Sequence, residues 1–328
     1  MPRRSTTLAA VAALSTLALA ACSSSGGQQA TTQATDGGGA AKSKTMTVAM
    51  ITHAAPGDTF WDLVRKGAED AAENDGVTLQ YTSDADGANQ ANLVKQALDK
   101  KVDGIAVTLA KPDAMQANVK AAADAGVPVV ALNAGSDRWK DMGVVSFFGQ
   151  DEKVAGQAAG DRLTEESAKK ALCVIQEQGH VGLEARCDGV KQGFAGTEKL
   201  YVNGTDMSDV QSKITAKLQQ DKDVSHVIML GAPYAMTAIK SIDDAGSNAK
   251  LVSFDMNKDI VAQIKANKVI WAVDQQPYLQ GYLAVDSLWL NKTNGNEIGG
   301  GQAVLTGPSF VDSSNVERVE KFAANGKR

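Results

Sequence analysis

The sequence predicts an α/β fold of two doubly wound, parallel-sheet lobes. Three observations carry this. Short apolar runs of strand length recur along the chain, typical of strands buried on both faces. Each run leads through a loop into a segment whose apolar residues return at helical spacing, the order of parallel βα units. The series runs twice, breaking near Gly149-Gln150-Asp151, in a chain of 328 residues that is long for one domain.

The first unit sets the pattern. Thr47-Val48-Ala49-Met50-Ile51 is the strand, and residues 52–59 are a loop holding Pro56, Gly57 and Asp58. Phe60, Leu63, Val64, Gly67, Ala68, Ala71 and Ala72 then recur at helical intervals. Strands follow at 77–81, 104–109, 127–132 and 144–148, with helices at 89–101 and 112–125. Pro112 suits a first helical turn and Gly126 a helix end. The second series places helices at 152–166, 183–198, 208–220, 232–245, 258–267 and 279–290. Its strands fall at 172–176, 200–202, 226–230, 251–254 and 269–273. Val304-Leu305 is a last short strand before a polar tail.

Residues 1–21 read as an export signal: Arg3 and Arg4 form a basic start, and an apolar run too short to span a bilayer follows. Leu19-Ala20-Ala21-Cys22 matches a bacterial lipobox, so Cys22 is expected to carry lipid; the alternative is a plain secretory cleavage site. Cleavage removes two Arg and no acid, which takes the net charge from −5 to −5 − 2 = −7. Residues 22–44, rich in Ser, Gly, Gln, Ala and Thr, form a flexible linker with a reach of roughly 25 Å. The expected location is the cell envelope, outside the cytoplasm and tied to the membrane. The negative charge gives no reason to expect nucleic acid. Cys173 and Cys187 remain, an even number in an exported chain, and are expected to form a disulfide; the alternative is two unlinked buried thiols.

Enzyme signatures are missing. There is no phosphate-binding glycine motif after a strand, no nucleophile elbow, and the pair His180 and Glu184 falls short of a metal set. No metal or cofactor is expected. His226, at a strand start, reads as structural, and His53 lies in the first loop.

In parallel sheets ligands bind beyond the carboxyl ends of the strands. Those ends offer Asp58, Phe60 and Trp61, then Asn133, then Glu184 and Arg186, then Asp255 and Asn257, then Gln275. Carboxylates and amides bond hydroxyl pairs, and aromatic faces suit the C–H face of a sugar ring or polyol. A phosphate would call for a glycine-rich nest or an Arg cluster. Each residue has a plainer role open to it. Asp58 is placed to cap the next helix, and Phe60 or Trp61 to pack in the core, although both can hardly face the same core. Asn133 and Asp255 suit turns, and Glu184 with Arg186 a surface ion pair. Trp139, Tyr234 and Trp271 read as packing residues.

Several segments in order carry a family resemblance: Thr59-Phe60-Trp61, Lys101-Val102-Asp103-Gly104-Ile105, Ala125-Gly126-Val127-Pro128-Val129, Arg186-Cys187-Asp188-Gly189, Val252-Ser253-Phe254-Asp255 and Gln275-Gln276-Pro277. With the export signal, they make the chain resemble, from about Met46 to Phe310, the ribose-binding kind of periplasmic sugar-binding proteins of ABC importers. The resemblance implies a type I periplasmic binding protein fold, with two lobes joined by a three-segment hinge. The lobes would be 45–150 with 276–303, and 151–275 with 304–328. It implies an aromatic pair at Phe60 and Trp61, polar ligand contacts at Asp58 and Asp255, and a hinge glutamine at Gln275. Asn133-Ala134 and Gly231 depart from the pattern and point away from ribose, toward another pentose, an inositol or a small polyol. The implied partners are a monosaccharide or polyol, an ABC permease and, through Cys22, the membrane; the protein is expected to be a monomer. The alternative role is a receptor reporting a sugar-like signal to a membrane kinase.

Overall fold

Among residues 46–328, which the computed structural model describes, twelve strands form two six-stranded sheets. The signal, the lipidation site Cys22 and the linker lie outside the described residues. β1 (Met46–Thr52), β2 (Val77–Ser83), β3 (Gly104–Thr108), β4 (Val129–Asn133) and β5 (Ser146–Gly149) belong to the first sheet, and β6 (Ala171–Ile175), β7 (Thr197–Tyr201), β8 (His226–Met229), β9 (Lys250–Phe254) and β10 (Trp271–Asp274) to the second. β11 (Val304–Leu305) returns to the first sheet and β12 (Ser309–Asp312) to the second. The orders are β11-β5-β4-β3-β1-β2 and β12-β10-β9-β8-β6-β7. Pairing is parallel except where β12 runs antiparallel to β10. The fold is therefore α/β with two parallel-dominated sheets, as expected.

Helices cover both sheets: α1 (Phe60–Asp75), α2 (Gly87–Asp99), α3 (Pro112–Asp124), α4 (Glu152–Glu165), α5 (Val181–Gly193), α6 (Met207–Gln220), α7 (Ala232–Asp244), α8 (Lys258–Lys265), α9 (Pro277–Asn294) and α10 (Glu317–Ala324). Their starts are written locally. Asp86, Asp151, Asp206 and Asn257 each accept backbone N–H groups of the following turn, which would otherwise be orphaned. Each sheet buries an apolar layer on each face, which explains the two-sided hydrophobic runs.

Two helix pairs cross at backbone contact. A Cβ on Gly67 of α1 would lie 1.9 Å from the carbonyl oxygen of Tyr278 in α9, and one on Gly156 of α4 would lie 2.0 Å from that of Arg186 in α5. Only glycine permits these approaches, which fix where α1 and α5 present their first turns. A disulfide joins Cys173 on β6 to Cys187 on α5 and anchors the second pair, in agreement with the parity expectation.

The chain passes between lobes three times, at 149–152, 274–277 and 305–309. These segments are bonded to one another: Thr306 N–H donates to Gly149 O (2.7 Å), Thr306 Oγ1 to Gln275 O (2.7 Å) and Gln276 Nε2 to Thr306 O (2.6 Å).

The structure corrects several element boundaries. Residues 304–305 were expected in the second lobe, yet Val304 and Leu305 pair in parallel with Phe148 and Gly149 of β5. The helix expected at 183–198 ends at Gly193, and the strand expected at 200–202 is Thr197–Tyr201. β7 is an edge strand with half-exposed residues, so it lacks a continuous apolar run. The polar tail contains β12 and α10, an edge strand and a short amphipathic helix.

Candidate functional site

A cavity of about 140 Å³ lies between the lobes, at the carboxyl ends of the strands of both sheets. By this measure one water needs about 10–15 Å³, so the space has the size of about ten waters, which suits a single monosaccharide-sized ring.

The first lobe supplies a wall of His53, Asp58, Phe60, Trp61, Lys111 and Asn133. Phe60 and Trp61 open α1, and both are buried in one core cluster while also lining the cavity, so the two do share a core. Their rings meet edge to face at 5.1 Å, and Trp61 meets the His53 ring edge to face at 4.7 Å. Asp58 stands beside the start of α1 and at the cavity wall. It accepts the N–H of Phe60 (3.1 Å) and lines the cavity, and burial pushes its carboxyl up from the ordinary value.

The second lobe supplies Gln176, Glu177, His180, Arg186, Tyr234 and Asp255. Arg186 is held by a buried, bidentate pair with Glu152 (Nε to Oε2 2.7 Å, Nη2 to Oε1 2.9 Å), donates to Leu230 O (3.1 Å), and lies over the Phe254 ring. Asp255 faces Arg186 and is buried; that burial pushes its carboxyl up to about 7, against the opposing pull of Arg186 and the Gln275 bond. Gln275, on the second crossing, donates to Asp255 Oδ1 (2.7 Å) and accepts from Asn133 Nδ2 (3.1 Å). One amide thus joins the strand ends of both lobes.

Seven of the expected residues, Asp58, Phe60, Trp61, Asn133, Arg186, Asp255 and Gln275, meet at this cavity. Two do not. Glu184 bonds Lys199 (2.7 Å) and the Tyr201 hydroxyl (3.2 Å) on the outer side of α5. Positions two apart on a helix face different ways, so Arg186 points inward and Glu184 outward, and they do not pair with each other. Asn257 caps α8, accepting from Asp259 N–H (3.0 Å) and Ile260 N–H (2.8 Å).

The sequence reading missed Lys111, Gln176, Glu177, His180 and Tyr234 as site residues. All five lie within five residues of a strand's carboxyl end, which was the available signal. Tyr234 was read as a packing residue, but it lines the cavity because Gly231 leaves room for it: a Cβ there would lie 3.0 Å from the ring. Trp139 and Trp271 are core residues, as expected.

Three close approaches span the cleft between the lobes. Val181 N–H donates to Ala110 O (3.1 Å), Lys111 Nζ pairs with Glu177 Oε1 (3.1 Å), and His53 Nε2 lies 3.1 Å from His180 Nε2. Among the described residues His53, Glu177 and His180 are the group whose ligand atoms come close enough to hold a metal ion, within 4.8 Å of one another. Nδ1 of His180 accepts the N–H groups of Gly182 and Leu183, which leaves the proton of that neutral ring on Nε2 and that nitrogen unfit to coordinate.

Fold, hinge and interlobe cavity define a hinged, two-lobed binding protein. The chain belongs to the periplasmic binding protein domain family, which it matches over residues 48–296, and is a binding protein rather than an enzyme. It is similar to a carbohydrate transporter of Acidothermus cellulolyticus 11B crystallised with myo-inositol: 57% identity, TM-score 0.85, 86% of this chain and 99% of that one. It is also similar to the xylose/arabinose-binding protein of Sulfolobus acidocaldarius (24% identity, 83% of this chain and 72% of the relative). A third relative is the ribose import binding protein of Bacillus subtilis (26% identity, 70% of this chain and 76% of the relative).

Proposed function

We propose that this protein is a lipid-anchored, extracytoplasmic, monomeric receptor that captures one cyclic polyol and delivers it to an ABC permease. The ligand class is an inositol or, next, a pentose. The observation that carries this is the cavity itself: an aromatic wall from one lobe faces acid, amide and guanidinium groups from the other, around a space of about 140 Å³. Gln176 Oε1 is buried there without a hydrogen-bond partner, an acceptor suited to a ligand hydroxyl. The similarity to a protein crystallised with myo-inositol supports a cyclitol first.

The ligand's hydroxyls bond Asp58 and Asn133 on one side and Arg186 and Asp255 on the other. Only the closed arrangement offers both sets together, so binding shifts the population toward closure. Gln275 sits where that motion turns. The disulfide suits an oxidising compartment. Cys22 anchors the chain, and the linker lets the lobes reach the permease. A thermal-shift screen over myo-inositol, other cyclitols, pentoses and hexoses tests the reading. Stabilisation by a cyclitol or pentose supports it, and no response to any member contradicts it.

A further inference from the structure

The two imidazoles of the cleft face each other with a hydrogen-bond conflict. Thr108 Oγ1 accepts from the backbone N–H of His53 (3.0 Å) and from Gln90 Nε2 (3.0 Å). With both lone pairs taken, the Thr108 proton points at His53 Nδ1, 2.7 Å away. His53 Nδ1 is therefore an acceptor, and the ring proton sits on Nε2. His180 reaches the same state from the other lobe. As the cap of α5, its Nδ1 accepts from the N–H groups of Gly182 (3.1 Å) and Leu183 (3.3 Å). Burial keeps both rings neutral, lowering His53 and taking His180 down to about 3. Yet the two Nε2 atoms lie 3.1 Å apart, donor against donor. Neither ring can exchange its proton between nitrogens without turning an Nδ1 acceptor into a donor facing other donors.

We propose that His53 and His180 form a specificity pair requiring one ligand oxygen, which accepts an N–H from each lobe, and that without it the pair opposes closure. The inference rests on the polyol reading of the cleft. A ring hydroxyl fits the requirement: its two lone pairs take the two N–H bonds, and its own proton remains for Glu177. Lys111 holds that carboxylate by an ion pair at 3.1 Å, and both residues line the cavity with the rings. A ligand with hydrogen instead of hydroxyl at this corner leaves the conflict in place. Ligand chemistry is thereby coupled to lobe closure, and closure on an empty cleft is penalised.

The test uses His180→Asn, which keeps a capping side chain for α5, and His53→Phe as a second variant should the first fail to fold. Imidazole ¹⁵N–¹H spectra of the ligand-free mature protein should show both rings protonated at Nε2. An Nδ1 proton on either ring would make the contact an ordinary N–H···N bond and overturn the proposal. Small-angle scattering without ligand should show the variants more closed than the parent; equal or more open variants overturn it. With myo-inositol as probe, calorimetry should show about tenfold weaker binding in either variant, the loss of one hydrogen bond; unchanged affinity overturns it. Tight Zn²⁺ binding that is lost in His180→Asn would also overturn it, in favour of a metal site. If neither myo-inositol nor any pentose binds the parent, the polyol reading fails, while the spectra and ligand-free scattering still decide the histidine pair.

Discussion

Asn133 and Asp255 hold the same place in the two lobes: each stands at the carboxyl end of the fourth strand of its sheet, counted from β2 and β7, with a left-handed φ of 65° and 68°. Gln275 bonds both. Short polar side chains tolerate this backbone better than most residues, so the fold's demand and the cleft's chemistry select the same types. The relation makes the cleft polar floor and the hinge one connected unit.

Asp255→Ala removes charge-assisted bonds, each worth about 1.5–3 kcal/mol, and should weaken ligand binding roughly ten- to hundredfold. Calorimetry of the folded variant against the parent reads this directly. Trp61→Ala carries a second cost. Trp61 is 6% exposed, so truncation should also lower stability by about 3–5 kcal/mol, measured by urea unfolding.

The raised Asp255 carboxyl gives a pH signature. Its folded value of about 7 lies above the ordinary 3.8. The group's favourable contribution is therefore complete below pH 3.8 and lost as pH rises through about 7. Asp255→Asn escapes that loss while keeping an acceptor for Gln275. Its stability relative to the parent should climb across this window in a series of urea titrations. A difference that stays flat with pH would contradict the environment assigned to Asp255.

Much of the fold was legible because most central strands are buried on both faces and so read as apolar runs, as Ile105 to Val107 and Val129 to Leu132 do. Edge strand β7 was read short and displaced, and edge strand β12 was hidden, because their residues are half-exposed. In the cleft, Asp255 was legible by standing directly after a strand, and Phe60 and Trp61 by opening the helix that follows the first strand and its loop. Glu184 was misassigned because sequence distance from a strand end does not give the phase of a helix; only the crossing of α5 on α4 turns Arg186 inward. Lys111, Glu177 and His180 were hidden because their partners lie in the other lobe.

That crossing gives the next expectation. Gly156→Ala would drive a methyl into the carbonyl of Arg186. Overpacking of this kind costs about 1–3 kcal/mol, and the shift of α5 should also loosen the Arg186 and Glu152 pair. Urea unfolding and ligand affinity should fall together; a loss of stability with unchanged affinity would separate the crossing from the site.

The Cys173 to Cys187 bridge closes a loop with a sequence separation of 14. It should contribute about 3 kcal/mol of stability. A Cys173→Ala, Cys187→Ala double variant should unfold at correspondingly lower urea, and mass spectrometry of the unreduced mature protein should find no free thiol at either position.

The most direct test of the central claim is calorimetric titration of the mature protein with myo-inositol, followed by D-arabinose, D-xylose and D-ribose. The account predicts saturable binding of one molecule per chain to a cyclitol or pentose, weakened at least tenfold in Asp255→Ala by the loss of about 1.5–3 kcal/mol. No binding of any of them, or binding that Asp255→Ala leaves untouched, would contradict it.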